Sequence, residues 1–242
     1  MKNALFVFSG NARTFVDCID SACTHLITKL FTEDVNIYIY FYLKLTDPGP
    51  KGQDYWNFTY KDNDYNTILD KIHNINSKYP NFSIDYKLLN SNELLDSELI
   101  SQVKNRSLYI GHYSRDHTLL RGLHNHYNLE KCGNYILEKE ISIQSKFDYI
   151  ISVRPDLFFT SSCNNIETYN TSIVTFNNDS HHCGLGDDYL AIVPREYVDA
   201  FFFGRMSIYR NNTDKFFTMP EDVYRIIAHD IQHIGLSYLK RY

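Results

Sequence analysis

The chain has 242 residues, 43% of them apolar and 22% charged, with a formal charge of -5. That length supports one large α/β domain or two small ones with a substantial core, and the acidic balance offers no basis for a nucleic-acid or anionic-membrane partner. Aromatics are abundant, with 20 Tyr and 16 Phe against a single Trp.

Taken in order, Leu5 to Ser9 is a strand, Gly10 to Arg13 a tight turn, and Thr14 to Phe31 a helix. The helix keeps Phe15, Ile19, Ala22, Leu26, Ile27 and Leu30 on one face. Val35 to Tyr42 is a second strand, so the chain opens with the β–turn–α–β pattern of a parallel sheet with a right-handed crossover. A Pro/Gly loop at Asp47 to Gly52 precedes a helix at Asn66 to Tyr79, a strand at Phe82 to Leu88 and a helix at Ser91 to Lys104. Arg115 to Gln144 is the longest helical region, with Gly122 and Gly133 as its weak points. Strands follow at Phe147, at Ser172 to Phe176 and at Tyr189 to Val193, and helices at Arg195 to Met206 and Pro220 to His229. Neither a repeat nor a linker is visible, which favours a single domain over 1–242.

The run Phe147-Asp148-Tyr149-Ile150-Ile151-Ser152-Val153-Arg154-Pro155-Asp156 is the centre of the reading. A stretch apolar on both faces suits a strand covered on both sides. Pro155 ends it, because proline lacks a ladder donor and drives Arg154 extended. A guanidinium and a carboxylate are thereby delivered to the carboxyl edge of a sheet, where open α/β folds bind ligands. The plainer alternative is an Arg–Asp pair that closes the strand end.

Ser9-Gly10-Asn11-Ala12-Arg13 is the second candidate. Glycine allows a sharp turn, the next helix offers amides, and Arg13 adds a bidentate phosphate contact. Without a Walker A loop or G-x-G-x-x-G, an ordinary βα turn fits equally well. Asp187 and Asp188, after a Gly-rich loop, are candidates for a general base or a hydroxyl-binding carboxylate, against the alternative of an acidic strand cap. His181-His182-Cys183 invites zinc, but no second ligand pair lies at zinc spacing. His112, Arg115, His117, Arg121, His124 and His126 crowd one region that could line a substrate groove, and Glu221 opens a late helix. Hydrolase-elbow, zincin and kinase motifs are missing from the sequence.

The first apolar run is too short for a signal segment, and no run has the length of a membrane span. Five scattered cysteines suit reduced thiols, so the expectation is a cytoplasmic protein without a transmembrane segment.

The order of these pieces resembles small nucleotide-sugar glycosyltransferases of the GT-A fold, particularly a group found in large DNA viruses and polysaccharide-synthesis clusters. The carriers are Ser9-Gly10 with Arg13, the Phe147 to Phe159 run, Asp188-Tyr189-Leu190-Ala191-Ile192 and a late Pro220-Glu221, spanning most of the chain. The resemblance implies a Rossmann-like, mostly parallel central sheet flanked by helices. Residues 1–110 would form a nucleotide-binding half and 111–242 a metal and acceptor half. It implies a nucleotide-diphosphate sugar donor, UDP favoured, near Ser9, Gly10, Arg13 and Arg154, and a hexosyl or pentosyl transfer to a glycan or glycoconjugate hydroxyl. Asp156 would hold Mn²⁺ or Mg²⁺, and Asp187 or Asp188 would act as base in an inverting step; if viral, the protein would work in the host cytoplasm. The chain departs from the usual Asp-x-Asp in carrying Arg154 at the first position. A catalytically degenerate carbohydrate-binding domain, and a sugar-nucleotide hydrolase or nucleotidyltransferase, are the alternatives.

Overall fold

The computed structural model describes residues 1–32, 34–45, 64–89, 116–177, 187–210, 232–234 and 238–240. Strand β1 (Lys2–Asn11) lies between β2 (Val35–Lys44) and β4 (Tyr149–Val153), parallel to both. Strand β3 (Phe82–Leu89) continues the parallel set beyond β2. On the other side β7 (Asp187–Val193) runs antiparallel to β4, followed by β6 (Thr175–Asn177) and β8 (Gln232–Ile234). The order is β3-β2-β1-β4-β7-β6-β8, with β7 running against the other strands. The expected mostly parallel α/β sheet flanked by helices is therefore the fold.

Two cores form because the central strands are apolar on both faces. Phe6, Phe8, Ile39, Phe41, Ile151 and Val153 join one cluster, and Leu5, Val7, Tyr40, Tyr42 and Ile150 join the other. Helices α1 (Phe15–Ala22) and α2 (Tyr65–Lys78) cover the first face; Phe15 meets Phe41 edge-on with ring centroids 5.2 Å apart. Each ring of this kind that leaves water contributes about 1.5–3 kcal/mol. Helix α3 (Asp116–Ile143) covers the second face, where Tyr135 stacks on Tyr40 at 3.7 Å. Glu140 pins the end of α3 to the approach to β4 and to the segment after β7, because its carboxylate accepts from the Phe147 N–H and from the Arg195 guanidinium.

The helix expected over Thr14 to Phe31 changes pitch. After Ala22 it widens to a π turn at Cys23–Ile27, with the Thr28 N–H bonded to the Cys23 carbonyl at 3.1 Å. Thr24 and Thr28 hydroxyls donate back to carbonyls one turn earlier and compete with the regular ladder. The helix expected from Arg195 is likewise stepped: a 3-10 turn (Arg195–Tyr197), a π turn (Asp199–Phe203) and helix α4 (Gly204–Arg210). The π turn delivers two adjacent rings, Phe201 and Phe202, into the core. Gly133 is a packing position rather than a weak point, since a Cβ there would lie 2.6 Å from the Phe203 ring.

The run after Asp156 forms β5 (Leu157–Phe159), paired with β9 (Tyr238–Lys240) in a separate small sheet. Neither β8 nor β9 is legible from the sequence, because three-residue strands carry no readable period. The expected loop at 47–52 and helices at 91–104 and 220–229 lie outside the described residues. Cys18, Cys23, Cys132 and Cys163 are free thiols. No described helix is long and apolar enough to cross a membrane.

Candidate functional site

Strand β1 reaches the carboxyl edge of the sheet in a turn built on Gly10. Its φ of +145 lies where side chains are strained, and a Cβ would sit 3.2 Å from Pro155 Cδ. The two sequence candidates, 9–13 and 154–156, are therefore in contact. The Ala12 N–H donates to the Lys44 carbonyl at 2.7 Å, tying the same turn to the end of β2. The amide of Phe15 is engaged by the Ala12 carbonyl at 2.6 Å, and Asp17 occupies the first turn of α1. Positive charge at this turn thus comes from Arg13 more than from the helix end.

Past Val153 the chain leaves the ladder as proline requires. The Arg154 N–H donates to the Tyr189 carbonyl at 2.7 Å, and its guanidinium lies over the Tyr189 ring at 4.3 Å. The same guanidinium grips Asp156 through Nε to Oδ1 at 2.9 Å and Nη2 to Oδ2 at 2.5 Å. Arg13 Nη1 stands 3.9 Å from that Oδ2. The pair foreseen as a plain strand closure does form, but a second guanidinium from the other loop joins it.

This arrangement bears on the divalent ion that the resemblance implies. Asp156 is 2% exposed and both of its oxygens already accept from Arg154. Among the described residues no group of three His, Cys, Asp or Glu side chains could hold an ion. A divalent cation about 4 Å from each guanidinium would also meet repulsion of roughly 4 kcal/mol per unit charge pair at an effective dielectric of about 20. As arranged, the described donors do not fit a resident metal.

Strand β7 reaches the same edge from the opposite direction. Leu190 pairs with Val153 and Ala191 with Ser152, so Asp187 and Asp188, at the start of β7, lie beyond the end of β4 beside Arg154. Their backbone is placed there; their side chains are outside the described residues.

The α3 side of the edge carries a polar layer. Helix α3 precedes a strand parallel to β1, so its N-terminal half overhangs the carboxyl edge. His124, Asn128 and Cys132 repeat every four residues and share a face. Cys132 lies within hydrogen-bond reach of the Ser9 hydroxyl, although burial pushes its thiol up to about 12. His124 is pushed down to about 4, by burial first and by the Lys44 ammonium second. Lys44 is itself buried, and the Asn128 amide nitrogen is buried without a hydrogen-bond partner among the described residues. Sequence reasoning flagged His124 and His126, both buried, but missed Lys44 and Asn128. The strand parity Tyr40, Tyr42, Lys44 was the available signal for the first.

Two of the other candidates, His117 and Arg121, lie on the N-terminal half of α3 that overhangs this edge. The side chains of His117 and Arg121 on α3 are not described, and His112, Arg115, the His181-His182-Cys183 zinc candidate and Glu221 fall wholly outside the described residues.

No family model matches the chain, and no curated protein matches it. Among solved structures, the galactosyltransferase LgtC in complex with donor and acceptor sugar analogs is 8% identical with a TM-score of 0.49, covering 96% of this chain and 72% of its own. The bifunctional glycosyltransferase WbbM is 7% identical with a TM-score of 0.44, over 96% of this chain and 38% of its own. The glycosyltransferase GlyE of Streptococcus pneumoniae is 8% identical with a TM-score of 0.42, over 97% and 45%. This chain spans less than half the length of the latter two. Likeness at this level is too slight to assign chemistry.

Proposed function

We propose that this chain is a glycosyltransferase that binds a nucleotide-diphosphate sugar, UDP favoured, at the carboxyl edge of β1 and β4. The observation that carries the reading is the contact between Gly10 and Pro155, which gathers Arg13, Arg154 and Asp156 into one group where open α/β sheets receive ligands. Ser9 and Gly10 shape the floor, and Arg13 and Arg154 meet the diphosphate. Lys44 and Asn128 on the α3 side are suited to the base or the sugar hydroxyls. Residues 1–110 supply the nucleotide half and 111–242 the acceptor half.

Asp188, or Asp187 beside it, is the base. Its carboxylate takes the proton of an acceptor hydroxyl as that oxygen forms a bond to C1 of the sugar. The bond from C1 to the diphosphate oxygen breaks, and the departing nucleoside diphosphate keeps the electron pair, stabilised by the two guanidiniums. Attack opposite to the leaving group inverts the anomeric centre. Whether a hexose or a pentose is moved depends on the donor that the site accepts.

Incubation with a panel of UDP-sugars and glycan acceptors, read by UDP release and by acceptor mass, tests the reading. The expected result is an acceptor mass increment for one donor, reduced at least ~100-fold in Asp188→Asn or Asp187→Asn. UDP-sugar cleavage that ignores the acceptor would favour the hydrolase or nucleotidyltransferase alternative instead. Glycan binding with no donor turnover would favour the carbohydrate-binding alternative.

A further inference from the structure

We infer that the donor diphosphate is held by Arg13 and Arg154 directly, with Asp156 as the residue that positions both guanidiniums, so that nucleoside diphosphate binds without a divalent cation. The inference rests on the donor reading above and deepens it.

The charge order of the group supports this. In a two-carboxylate site the ion cancels the carboxylates before any phosphate arrives. Here two guanidiniums face the Asp156 carboxylate, so its charge is already met by cations of the chain itself. Depth points the same way. The Asp156 side chain is 3% exposed, whereas those of Arg13 and Arg154 are 11% and 27% exposed. The carboxylate lies behind and the cations in front, so an anion approaching the edge meets guanidinium first.

The hydrogen bonds fix direction as well as charge. Asp156 engages Arg154 through Nε and Nη2, and a guanidinium has five N–H donors in one plane. Tyr189 backs one face of that plane. A long, flexible side chain is thereby held in the orientation that a bidentate phosphate contact requires. Arg13 is brought alongside by the Gly10 turn, whose close approach to Pro155 sets the separation of the two loops. Asp156 touches no substrate in this arrangement.

Calorimetric titration of UDP and of inorganic pyrophosphate into the whole protein, once with excess EDTA and once with millimolar Mn²⁺, tests it. The expected result is UDP binding in EDTA with a Kd within about twofold of that in Mn²⁺. Arg154→Lys and Asp156→Asn should each weaken UDP by about 10- to 100-fold under both conditions, because each loses an oriented charge-assisted contact. Pyrophosphate should show the same pattern more weakly. UDP binding that appears only with Mn²⁺, and whose metal-dependent increment disappears in Asp156→Asn, would overturn the inference while leaving the donor reading intact. Absence of UDP binding under both conditions would sink the two together. If Asp156→Asn does not fold, the wild-type comparison and Arg154→Lys still decide.

Discussion

His124 carries a consequence that can be measured at the scale of one side chain. Burial, and then the neighbouring Lys44 ammonium, push its imidazole down to about 4, against 6.5 for an exposed histidine. Below pH 6.5 the unfolded chain takes up a proton at this position while the folded chain does not. The neutral imidazole therefore contributes stability that is fully present above pH 6.5 and is lost as pH falls from 6.5 towards 4. Denaturant midpoints for wild type and His124→Gln at about pH 7.5 and about pH 5 check this: the difference between the two proteins should shrink or reverse at the lower pH. A constant difference would place the imidazole in contact with solvent, and one that grows at the lower pH would place an acidic partner beside it. Of the site residues, Gly10, Arg13, Arg154 and Asp156 were legible because proline and glycine leave a local signature. Lys44 has only its strand parity with Tyr40 and Tyr42 and Asn128 has none, since an asparagine in a helix is ordinary on most surfaces.

Among the elements, the seam between α3 and the Asp199–Phe203 turn depends on a missing side chain. A Cβ on Gly133 would meet Phe203 ring atoms at 2.6 and 2.7 Å and Phe202 Cβ at 2.9 Å, far closer than real packing allows. On an exposed helix, glycine to alanine would gain about 1 kcal/mol from propensity. Here overpacking at a site with backbone-linked neighbours should cost more than that gain, and Gly133→Ala is expected to destabilise by a net ~1–3 kcal/mol. Chemical denaturation measures it, and a stabilised variant would show that the 199–203 turn can move away. Composition pointed to a helix weakness at this glycine because propensity is read locally, whereas the constraint comes from a turn far later in the chain. The stepped helix after Arg195 has the same origin: apolar spacing suggested a single helix, and the need to bury Phe201 and Phe202 together changed its pitch.

Across the whole molecule, the sheet order assigns unequal stability to its strands. Strand β1 is paired on both sides, and Ala4 to Val7 are fully buried. Strand β3 lies at the edge with Ser83, Tyr86 and Lys87 exposed. Amides from Leu5 to Val7 should exchange only through global unfolding, while those on the outer side of β3 should exchange by local opening orders of magnitude faster. Hydrogen exchange read by mass spectrometry decides this, and equal protection of the two strands would indicate that something covers the β3 edge.

By itself the sequence determined the alternation of strand and helix, the double-sided burial of β4, and the break at Arg154-Pro155. These arise from apolar periodicity and proline stereochemistry, which act over a few residues. Only the tertiary structure decided that Gly10 touches Pro155, that Arg13 reaches the carboxylate of Asp156, and that β7 runs backwards to bring Asp187 and Asp188 to the same edge. Those contacts join segments far apart in the chain, or depend on the direction of a strand, and hydrophobic patterning is blind to both. The setting of Asp156 belongs to the same category: it is a carboxylate in the sequence, but only the fold places it behind two arginines.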